Sequence, residues 1–408
     1  MTAAFFGRIH QHARISREGD VWYGEALLNL KRDLSHKVKA YTFETFGATM
    51  ALIMYELINL NSGSHAYLTH TGAIGKLIYV RGPELHKSYP EKELYLEARV
   101  LLIANALFAC ERTFLDEPKW KDVPWEDDIL AKSHFEYLVD VFADIPYFLQ
   151  EATHVNVLTS AGLPERPGRR HLLPQVLERL RMLGELQKSW YIKYSTPTWQ
   201  VPIAAAASHD SETIRPPFDK SVYFTDMFRA YEYCIYHATS ILLLLLYQDL
   251  SFGHVQPVED ILPGRFPNGS IQCLAGNICR CTEFLCLEQH GARGYIVLQL
   301  PATIAYLAID KKSPEALWLY DVCKRHARSK GFGWGDFAMD QVTPLSQWMA
   351  SCRDRQPDSE SDNHLAAMQP RWARNSEGCA IESTSVQSRA ALPMRSNGSQ
   401  EDPERSLS

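Results

Sequence analysis

The sequence predicts an all-α fold of many helices, followed by a disordered C-terminal tail. Apolar side chains recur at steps of three and four residues through most of residues 1–352, as they do on the buried faces of helices. No segment in that range shows the alternation typical of a half-buried strand. From Arg353 onward Ser, Arg, Asp, Glu, Pro and Gln dominate, a composition that buries too little apolar surface to fold. We therefore expect a helical domain at 1–352 and a disordered tail at 353–408.

Composition and charge narrow the class of protein. The chain has 408 residues, 46% of them hydrophobic and 22% charged, which are the proportions of a globular protein able to bury a sizeable core. Its net charge of −6 argues against a basic nucleic-acid-binding surface over the whole molecule. The nine cysteines are too few and too scattered for a disulfide scaffold, so we expect free thiols in a reducing, intracellular setting.

The apolar segments are too short to predict a membrane protein. The longest apolar run, 241–246, lies in a segment from Cys234 to Tyr247, which is shorter than the roughly 20 residues needed to cross a bilayer. The first residues also lack the continuous apolar core of a secretory signal. We interpret 234–247 as a buried helix and expect no membrane partner.

Two amphipathic helices are predicted at the start of the domain. The first covers about 20–35, where the following residues fall at helical spacing: Trp22, Tyr23, Ala26, Leu27, Leu30 and Leu34. The second covers about 41–60 and presents a face that includes Phe46, Met50 and Ile53. The polar, glycine-containing segment 61–63 ends it.

Residues 64–125 carry the densest local signals, beginning with a helix from Ser64 to Arg81. Ser64 is a suitable N-cap. One apolar face is formed at helical spacing by Tyr67, His70, Ile74, Leu77 and Ile78. Gly82 and Pro83 end this helix, because glycine accepts a positive φ and proline cannot continue the hydrogen-bond ladder.

A longer helix and an anchored loop complete this stretch. Ser88 and Glu91 stand in capping-box register, with Pro90 inside the first turn. Residues 94–115 are apolar on most of their circumference, which predicts a helix surrounded by other helices. Two tryptophans, Trp120 and Trp125, are expected to anchor the loop that leads to the next helix.

The rest of the domain is predicted to be helices separated by loops that contain proline or glycine. Acidic residues at 126–128 favour a helix start, so we expect a helix over 126–143, broken at 144–146. Further helices are predicted over 174–194, 220–249 and within 270–352, with loops at 161–170, 196–217 and 251–268. Ser313 and Pro314 begin a helix whose basic C-terminal end complements the helix dipole. The glycine-rich segment 331–335 is expected to be a flexible turn.

No constellation of side chains predicts chemistry. Four cysteines lie close together in sequence but lack the CxxC spacing of a structural zinc site: Cys273, Cys279, Cys281 and Cys286. Cysteine is commonly a small buried hydrophobe, and we expect that role here. His70 and His237 lie among apolar residues, where a core histidine is the commoner role. We therefore assign no catalytic, cofactor-binding, DNA-binding or metal-binding residue and no cofactor, and we do not expect an enzyme.

Two separated stretches share an order of residues with a known family. The first contains His70-Thr71-Gly72, Leu77–Pro83, Arg99, Phe114-Leu115, Trp120 and Pro124-Trp125. The second contains Ile278–Phe284, Gly291–Gly294, Leu300-Pro301, Ala305, Trp318 and Lys330–Phe332. In this order they resemble the regulatory region of fungal Zn(II)2Cys6-type transcription factors, and the resemblance covers about residues 20–340.

The resemblance implies an all-α domain that serves regulation and protein contacts rather than catalysis. Many members of that family control local gene sets, often secondary-metabolite pathways of filamentous fungi. It therefore implies a transcription-regulator-like protein of the nucleus. Its implied partners are other transcription regulators or the transcription machinery.

The chain departs from the family pattern at the DNA-binding zinc cluster. That cluster needs closely spaced cysteines in a basic segment, whereas the first cysteine here is Cys110. Either an upstream segment that carries the cluster is missing, or the chain is a relative without it that acts through partners. Direct DNA contact by this chain is not expected. Two alternatives stay open: a helical enzyme with a pocket near Tyr233 and His237, and a scaffold that binds a small-molecule effector.

Overall fold

A computed structural model describes most of the chain between residues 2 and 354. The described residues are 2–59, 65–160, 168–194, 197–203, 214–251, 271–330, 332 and 343–354. Several predictions fall outside them. These are the Ser64 cap, most of the loops at 161–170 and 251–268, half of the loop at 196–217, most of the turn at 331–335, and the tail from 355 onward.

Helices make up nearly all of the regular structure, which confirms the all-α class. They are α1 (Thr2–Ile9), α2 (Ala13–Leu34), α3 (Phe43–Asn59), α4 (His65–Arg81), α5 (Glu91–Ala109), α6 (Pro118–Asp122), α7 (His134–Phe142), α8 (Ile145–Ser160), α9 (Gly168–Lys193), α10 (Met227–Leu250), α11 (Ile271–Leu285), α12 (Gly291–Ala308), α13 (Pro314–Ser329) and α14 (Pro344–Asp354). Short 3-10 turns lie at Lys39–Tyr41, Pro83–His86, Phe114–Asp116, Val123–Trp125, Ile129–Ala131 and Glu288–His290.

Helix α10 lies at the centre of the packing. Every side chain from Cys234 to Tyr247 is buried, as the continuous apolar run predicts. This helix packs against α7, α8 and α9, and also against α11, α12, α14 and the strand β2 defined below. No helix in the described ranges is long and apolar enough to cross a bilayer. The apolar segment is therefore the core helix that the sequence predicts.

The N-terminal helices join this centre through α5. Helix α2 packs on α3, and α3 packs on α4. Both α3 and α4 contact α5, which in turn contacts α7, α8 and α14. One hydrophobic core consequently runs from Phe46 to Cys352. Trp22 was predicted on the apolar face of the first helix, but its side chain is 58% exposed, so that part of the prediction is wrong.

A β-hairpin is the main departure from the predicted elements. Strands β1 (Thr198–Pro202) and β2 (Lys220–Phe224) pair antiparallel, with Gln200 opposite Val222. The helix predicted over 220–249 therefore begins only at Met227, after Asp226, whose side chain accepts a hydrogen bond from the Arg229 amide at 2.9 Å. The two strands are separated by a long connection, so no short turn signal marks the hairpin in the sequence.

The helix predicted over 126–143 also starts later than expected. Residues 123–131 form two 3-10 turns, and Asp128 caps the second of them. Helix α7 begins at His134, where the Ser133 hydroxyl accepts a hydrogen bond from the Glu136 amide at 3.2 Å. Acidic residues suit any helix start, whereas the side-chain cap fixes the actual one.

The capping box predicted at Ser88 and Glu91 is wrong. Pro90 is the N-cap of α5 and no side chain caps it, while the Ser88 carbonyl accepts a backbone hydrogen bond from Lys92 at 2.9 Å. The same helix ends at Ala109 rather than near 115, because Cys110 adopts a left-handed conformation with φ of 51°. The chain then turns into the loop that carries Trp120.

The start of α9 also differs from the prediction. Residues 168–170 belong to the helix rather than to the predicted loop, so Pro174 lies inside it. Because proline has no backbone N–H, the helix lacks one of its hydrogen bonds at this position. The C-terminal end of this helix, Lys193, agrees with the predicted boundary within one residue.

Two glycines occupy positions that a larger residue cannot take without distortion. Gly82 follows α4 with φ of +75°, which confirms the predicted stop. Gly294 lies in the first turn of α12, where a Cβ atom would stand 2.0 Å from the carbonyl oxygen of Leu285, the last residue of α11. Gly82 needs a positive φ, and Gly294 has no space for a Cβ atom.

Candidate functional site

In the first of the two stretches that resemble the family, Arg99 of α5 makes the central contacts. Its guanidinium is fully buried, and Nη1 donates to Glu136 Oε2 at 2.6 Å. Nη2 donates to Asp140, also on α7. The guanidinium carbon lies 5.1 Å from the centre of the Trp125 ring. One arginine thereby ties α5, α7 and the Trp125 loop together.

Lys132 completes a buried cluster of four charges. Its Nζ lies 2.5 Å from Asp140 Oδ2 and 4.5 Å from the centre of the Trp125 ring. Burial raises the pKa of Glu136, and the charge of Arg99 opposes that rise. Two cations therefore neutralise two carboxylates away from water, which is the condition under which buried charges are tolerated. This arrangement positions helices.

Aromatic rings form the other half of the same anchor. Trp120 is 1% exposed, and its carbonyl accepts a hydrogen bond from the Tyr95 hydroxyl at 2.7 Å. The His86 ring stacks on Tyr95 with 5.0 Å between ring centres. Burial, with a smaller effect from nearby Arg81, lowers the pKa of His86 to about 4. Trp120 and Trp125 are thus buried anchors of this loop, as the sequence predicts.

The second resembling stretch lies on α11 and packs on the hairpin. Arg280 Nε donates to the Lys220 carbonyl at 2.9 Å, and Glu283 accepts from the Ser221 hydroxyl. Cys279 and Cys281 are fully buried, and burial raises the pKa of both thiols. The Cys281 thiol donates to the Asn277 carbonyl at 3.0 Å. This helix therefore also has a packing role.

The cysteines nearest in space differ from those nearest in sequence. The neighbouring thiol of Cys234 on α10 adds to the raised pKa of the Cys281 thiol, and sequence spacing does not indicate this pair. Cys273 and Cys286 are only partly buried. Within the described ranges no group of three or more His, Cys, Asp or Glu side chains is arranged to hold a metal ion.

His70 lies in a polar contact between three N-terminal helices. Its Nε2 is 3.4 Å from the Tyr23 hydroxyl on α2, and that hydroxyl donates to Glu56 on α3. Burial lowers the pKa of His70, and the Glu56 charge opposes the effect. Glu56 lies on another helix, so no helical spacing in the sequence marks it as a neighbour of His70.

An apolar cleft lies between α7, α9 and α10. Its enclosed volume is about 30 Å³. Its apolar walls are Phe135, Leu138, Leu186, Trp190, Tyr233 and Tyr236. Tyr233 is one of the two residues named for a hypothetical pocket, but His237 is not among the lining residues. His237 is 3% exposed with its ring 4.2 Å from that of Tyr233, and burial lowers its pKa to about 3.

The floor of this cleft is a buried carboxylate. Glu232 Oε2 accepts a hydrogen bond from Trp190 Nε1 at 2.6 Å and lies 2.7 Å from Arg229 Nη1. Its other oxygen, Oε1, has no hydrogen-bond partner among the described residues. Burial raises the pKa of Glu232, and the hydrogen bond from Trp190 opposes the rise. This carboxylate was not singled out by the sequence, because its partners lie on another helix.

At the mouth of the cleft, His134 Nε2 lies 3.0 Å from the Ser189 hydroxyl. Burial lowers the pKa of His134, and the nearby charges of Lys193 and Arg229 act in the same direction. The described lining residues contain no serine, threonine or cysteine, but they do include the carboxylate of Glu232 and the imidazole of His134. The arrangement is suited to binding a small group.

Comparisons with known proteins give one partial match. An uncharacterized protein of Emericella nidulans is 32% identical over 120 residues, which is 29% of this chain. The match spans 26% of that relative, so it covers about a quarter of its length. No family model matches the sequence, and no solved structure matches it.

Proposed function

We propose that the chain is a transcription-regulator-like protein that acts through protein partners and performs no catalysis. The observation that carries the proposal is the resemblance of two ordered stretches to the regulatory region of fungal Zn(II)2Cys6-type factors. The partners we propose are other transcription regulators or the transcription machinery. The proposed location is the nucleus, and the proposed target is a local fungal gene set, such as a secondary-metabolite cluster.

The roles of the resembling residues support a scaffold. Arg99 joins α5 to α7, and Trp120 and Trp125 anchor a loop. Gly82 ends α4, and Gly294 allows α12 to pack closely against the end of α11. Each of these features shapes the domain and leaves no reactive group exposed in a cleft. A protein whose distinctive residues build its scaffold is suited to presenting surfaces to partners. The partial match to a fungal protein agrees with the proposed source of the gene set.

Deletion of the gene followed by transcript profiling tests this function. We expect transcripts of a confined group of genes to change under conditions in which the chain is expressed, and reintroduction of the wild-type gene to restore them. An unchanged profile under those conditions would count against the proposal. Reintroduction of the Arg99→Met variant, whose fold we expect to be strongly destabilised, is the matched negative control.

Mobility-shift measurements separate partner-mediated action from direct DNA binding. Because the chain is acidic overall, we expect no salt-sensitive shift with purified protein and promoter DNA. A shift that weakens steeply as salt rises would instead show direct contact with phosphates. An in-frame upstream exon with closely spaced cysteines would show that a zinc cluster precedes the chain.

A small-molecule effector is the second role that we propose for this scaffold, and the cleft at Glu232 favours it. The enclosed space is small, and its polar lining includes Glu232, His134 and Gln187. The Oε1 atom of Glu232 has no hydrogen-bond partner among the described residues. The enzyme alternative gains no comparable support, because His237 does not line the cleft. Ligand-dependent thermal stabilisation tests the effector role, since a ligand that binds the folded state alone raises the melting temperature.

A further inference from the structure

Glu232 is a buried hydrogen-bond acceptor, and only one of its two carboxylate oxygens has partners. The side chain is 4% exposed, and both Trp190 Nε1 and the Arg229 guanidinium approach the same oxygen, Oε2. The second oxygen lacks a hydrogen-bond partner in the described part of the chain. A buried acceptor without a partner is energetically unfavourable. The cleft therefore favours an occupant that donates a hydrogen bond to Oε1.

The charges around the cleft favour a neutral occupant. Arg229 lies against Glu232 and also faces Asp226, with 3.8 Å between Arg229 Nε and Asp226 Oδ1. Lys193 on α9 adds a second nearby cation. Two cations thus balance two carboxylates, so an added ammonium group or an added carboxylate would be left without a counter-charge. A neutral N–H or O–H donor meets the acceptor without that cost.

The walls of the cleft favour a flat apolar ring. Trp190 and Tyr191 meet edge to face with 5.1 Å between ring centres, and Tyr233 lies 6.4 Å from Trp190. Aromatic walls attract rings through offset and edge-to-face contacts. The enclosed 30 Å³ holds roughly two water molecules. Only the donor edge of a ring fits that space, and the body of the ring would lie along the mouth, where Tyr191 is 38% exposed.

We infer that the cleft between α7, α9 and α10 binds a neutral planar aromatic molecule that donates one N–H or O–H hydrogen bond to Glu232 Oε1. This inference rests on the effector role proposed above and names the class of effector. It does not depend on which genes the protein regulates. The test below uses purified protein, so its outcome and that of transcript profiling are independent.

Three matched probes test the donor requirement on the full chain by saturation-transfer NMR. Indole carries an N–H donor, 1-methylindole has the same ring without the donor, and quinoline carries a ring acceptor. We expect wild-type protein to bind indole about tenfold more tightly than 1-methylindole or quinoline, because only indole satisfies Oε1. Equal binding of all three, or no binding of indole, would overturn the inference.

The Glu232→Gln variant reverses the hydrogen-bonding character of the floor while keeping its shape. Trp190 and Arg229 are both donors, so they hold the amide oxygen and leave the amide NH2 group at the Oε1 position. We expect preference to switch from indole to quinoline, and 1-methylindole to be unaffected. Retention of the indole preference in a folded variant would contradict a role for Glu232.

A blocking variant locates the bound probe. Leu186→Phe adds bulk to the wall of the cleft, and we expect it to abolish indole binding. Leu317→Phe adds the same bulk at an exposed position on α13 and serves as the control. Thermal denaturation checks that both variants fold. If the folded Leu186→Phe protein binds indole like the control, the probe occupies another place and the inference is wrong.

Discussion

Arg99 shows how much of this fold depends on one buried side chain. It pairs with Glu136 and Asp140, which lie 37 and 41 residues away in the sequence. The sequence marks Arg99 through the family resemblance but cannot indicate those partners, because pairing between separate helices has no short-range pattern. The buried roles of Trp120 and Trp125 were predictable, since two tryptophans in a short loop indicate an anchor.

Removal of the Arg99 charge should destabilise the domain strongly. We expect Arg99→Met to lower the free energy of unfolding by about 3–5 kcal/mol, because it leaves two buried carboxylates with only Lys132 opposite them. Chemical denaturation measures the change. Arg14→Met removes an exposed partner of Glu18 and should change stability by less than about 1 kcal/mol. Similar small losses in both variants would show that the buried cluster does not hold the helices.

Truncation of Trp120 tests the aromatic anchor separately. Because the ring is 1% exposed, Trp120→Ala should lower the free energy of unfolding by about 3–5 kcal/mol. Trp22 is 58% exposed, so Trp22→Ala is the matched control and should have a much smaller effect. A loss below about 1 kcal/mol at Trp120 would contradict its anchor role.

At the scale of elements, the sequence predicts that a helix is present more easily than it predicts where the helix begins and ends. The apolar run of α10 and the stop at Gly82 were both visible in the sequence. The start of α7 was not, because three acidic residues at 126–128 gave a dipole signal while the side-chain cap lies farther on, at Ser133. The hairpin β1–β2 was missed because its strands are short and the residues between them are many.

The start of α7 can be tested by substitution of its cap. Ser133→Ala removes the acceptor for the Glu136 amide, and we expect it to cost about 1 kcal/mol of stability. Asp127→Ala removes an acidic residue from the predicted helix start, which the structure places in a turn before α7, and should have little effect. Denaturation midpoints compare the two. A larger loss for Asp127→Ala would favour the start that the sequence predicted.

At the scale of the whole molecule, we expect two buried histidines to make stability depend on pH. Burial lowers the pKa of His86 to about 4 and that of His237 to about 3, against an ordinary value of 6.5. Above pH 6.5 both rings are neutral in the folded and unfolded chains alike. As pH falls below 6.5 the unfolded chain binds protons first, so the folded state loses stability until its own rings protonate.

This dependence gives a measurable slope. Between about pH 6 and pH 4 each histidine should contribute a loss of up to about 1.4 kcal/mol per pH unit. Urea denaturation at several pH values in this range measures it. His237→Phe removes one titrating ring, so the variant should take up one proton fewer on unfolding in this pH range. The pH dependence of its unfolding free energy should therefore be weaker than that of the wild type. Identical slopes for the two proteins would show that His237 is not held neutral in the fold.

The site as a whole was only partly predictable. Tyr233 was named for a pocket from its neighbours in sequence, and it does line the cleft, but the floor at Glu232 and the wall at Trp190 come from tertiary packing. The proposed regulatory function rests on the family resemblance rather than on any single side chain. It therefore needs a test of the entire domain.

A tethered-reporter measurement tests the central claim most directly. The full chain is fused to an unrelated DNA-binding domain and placed in the nucleus of a filamentous fungus beside a reporter gene. If the chain recruits transcription regulators, reporter transcription should change several-fold, and the Arg99→Met fusion should show a reduced effect because its scaffold is destabilised. Reporter transcription that stays at the level of the DNA-binding domain alone, with the wild-type fusion folded and nuclear, would contradict the account.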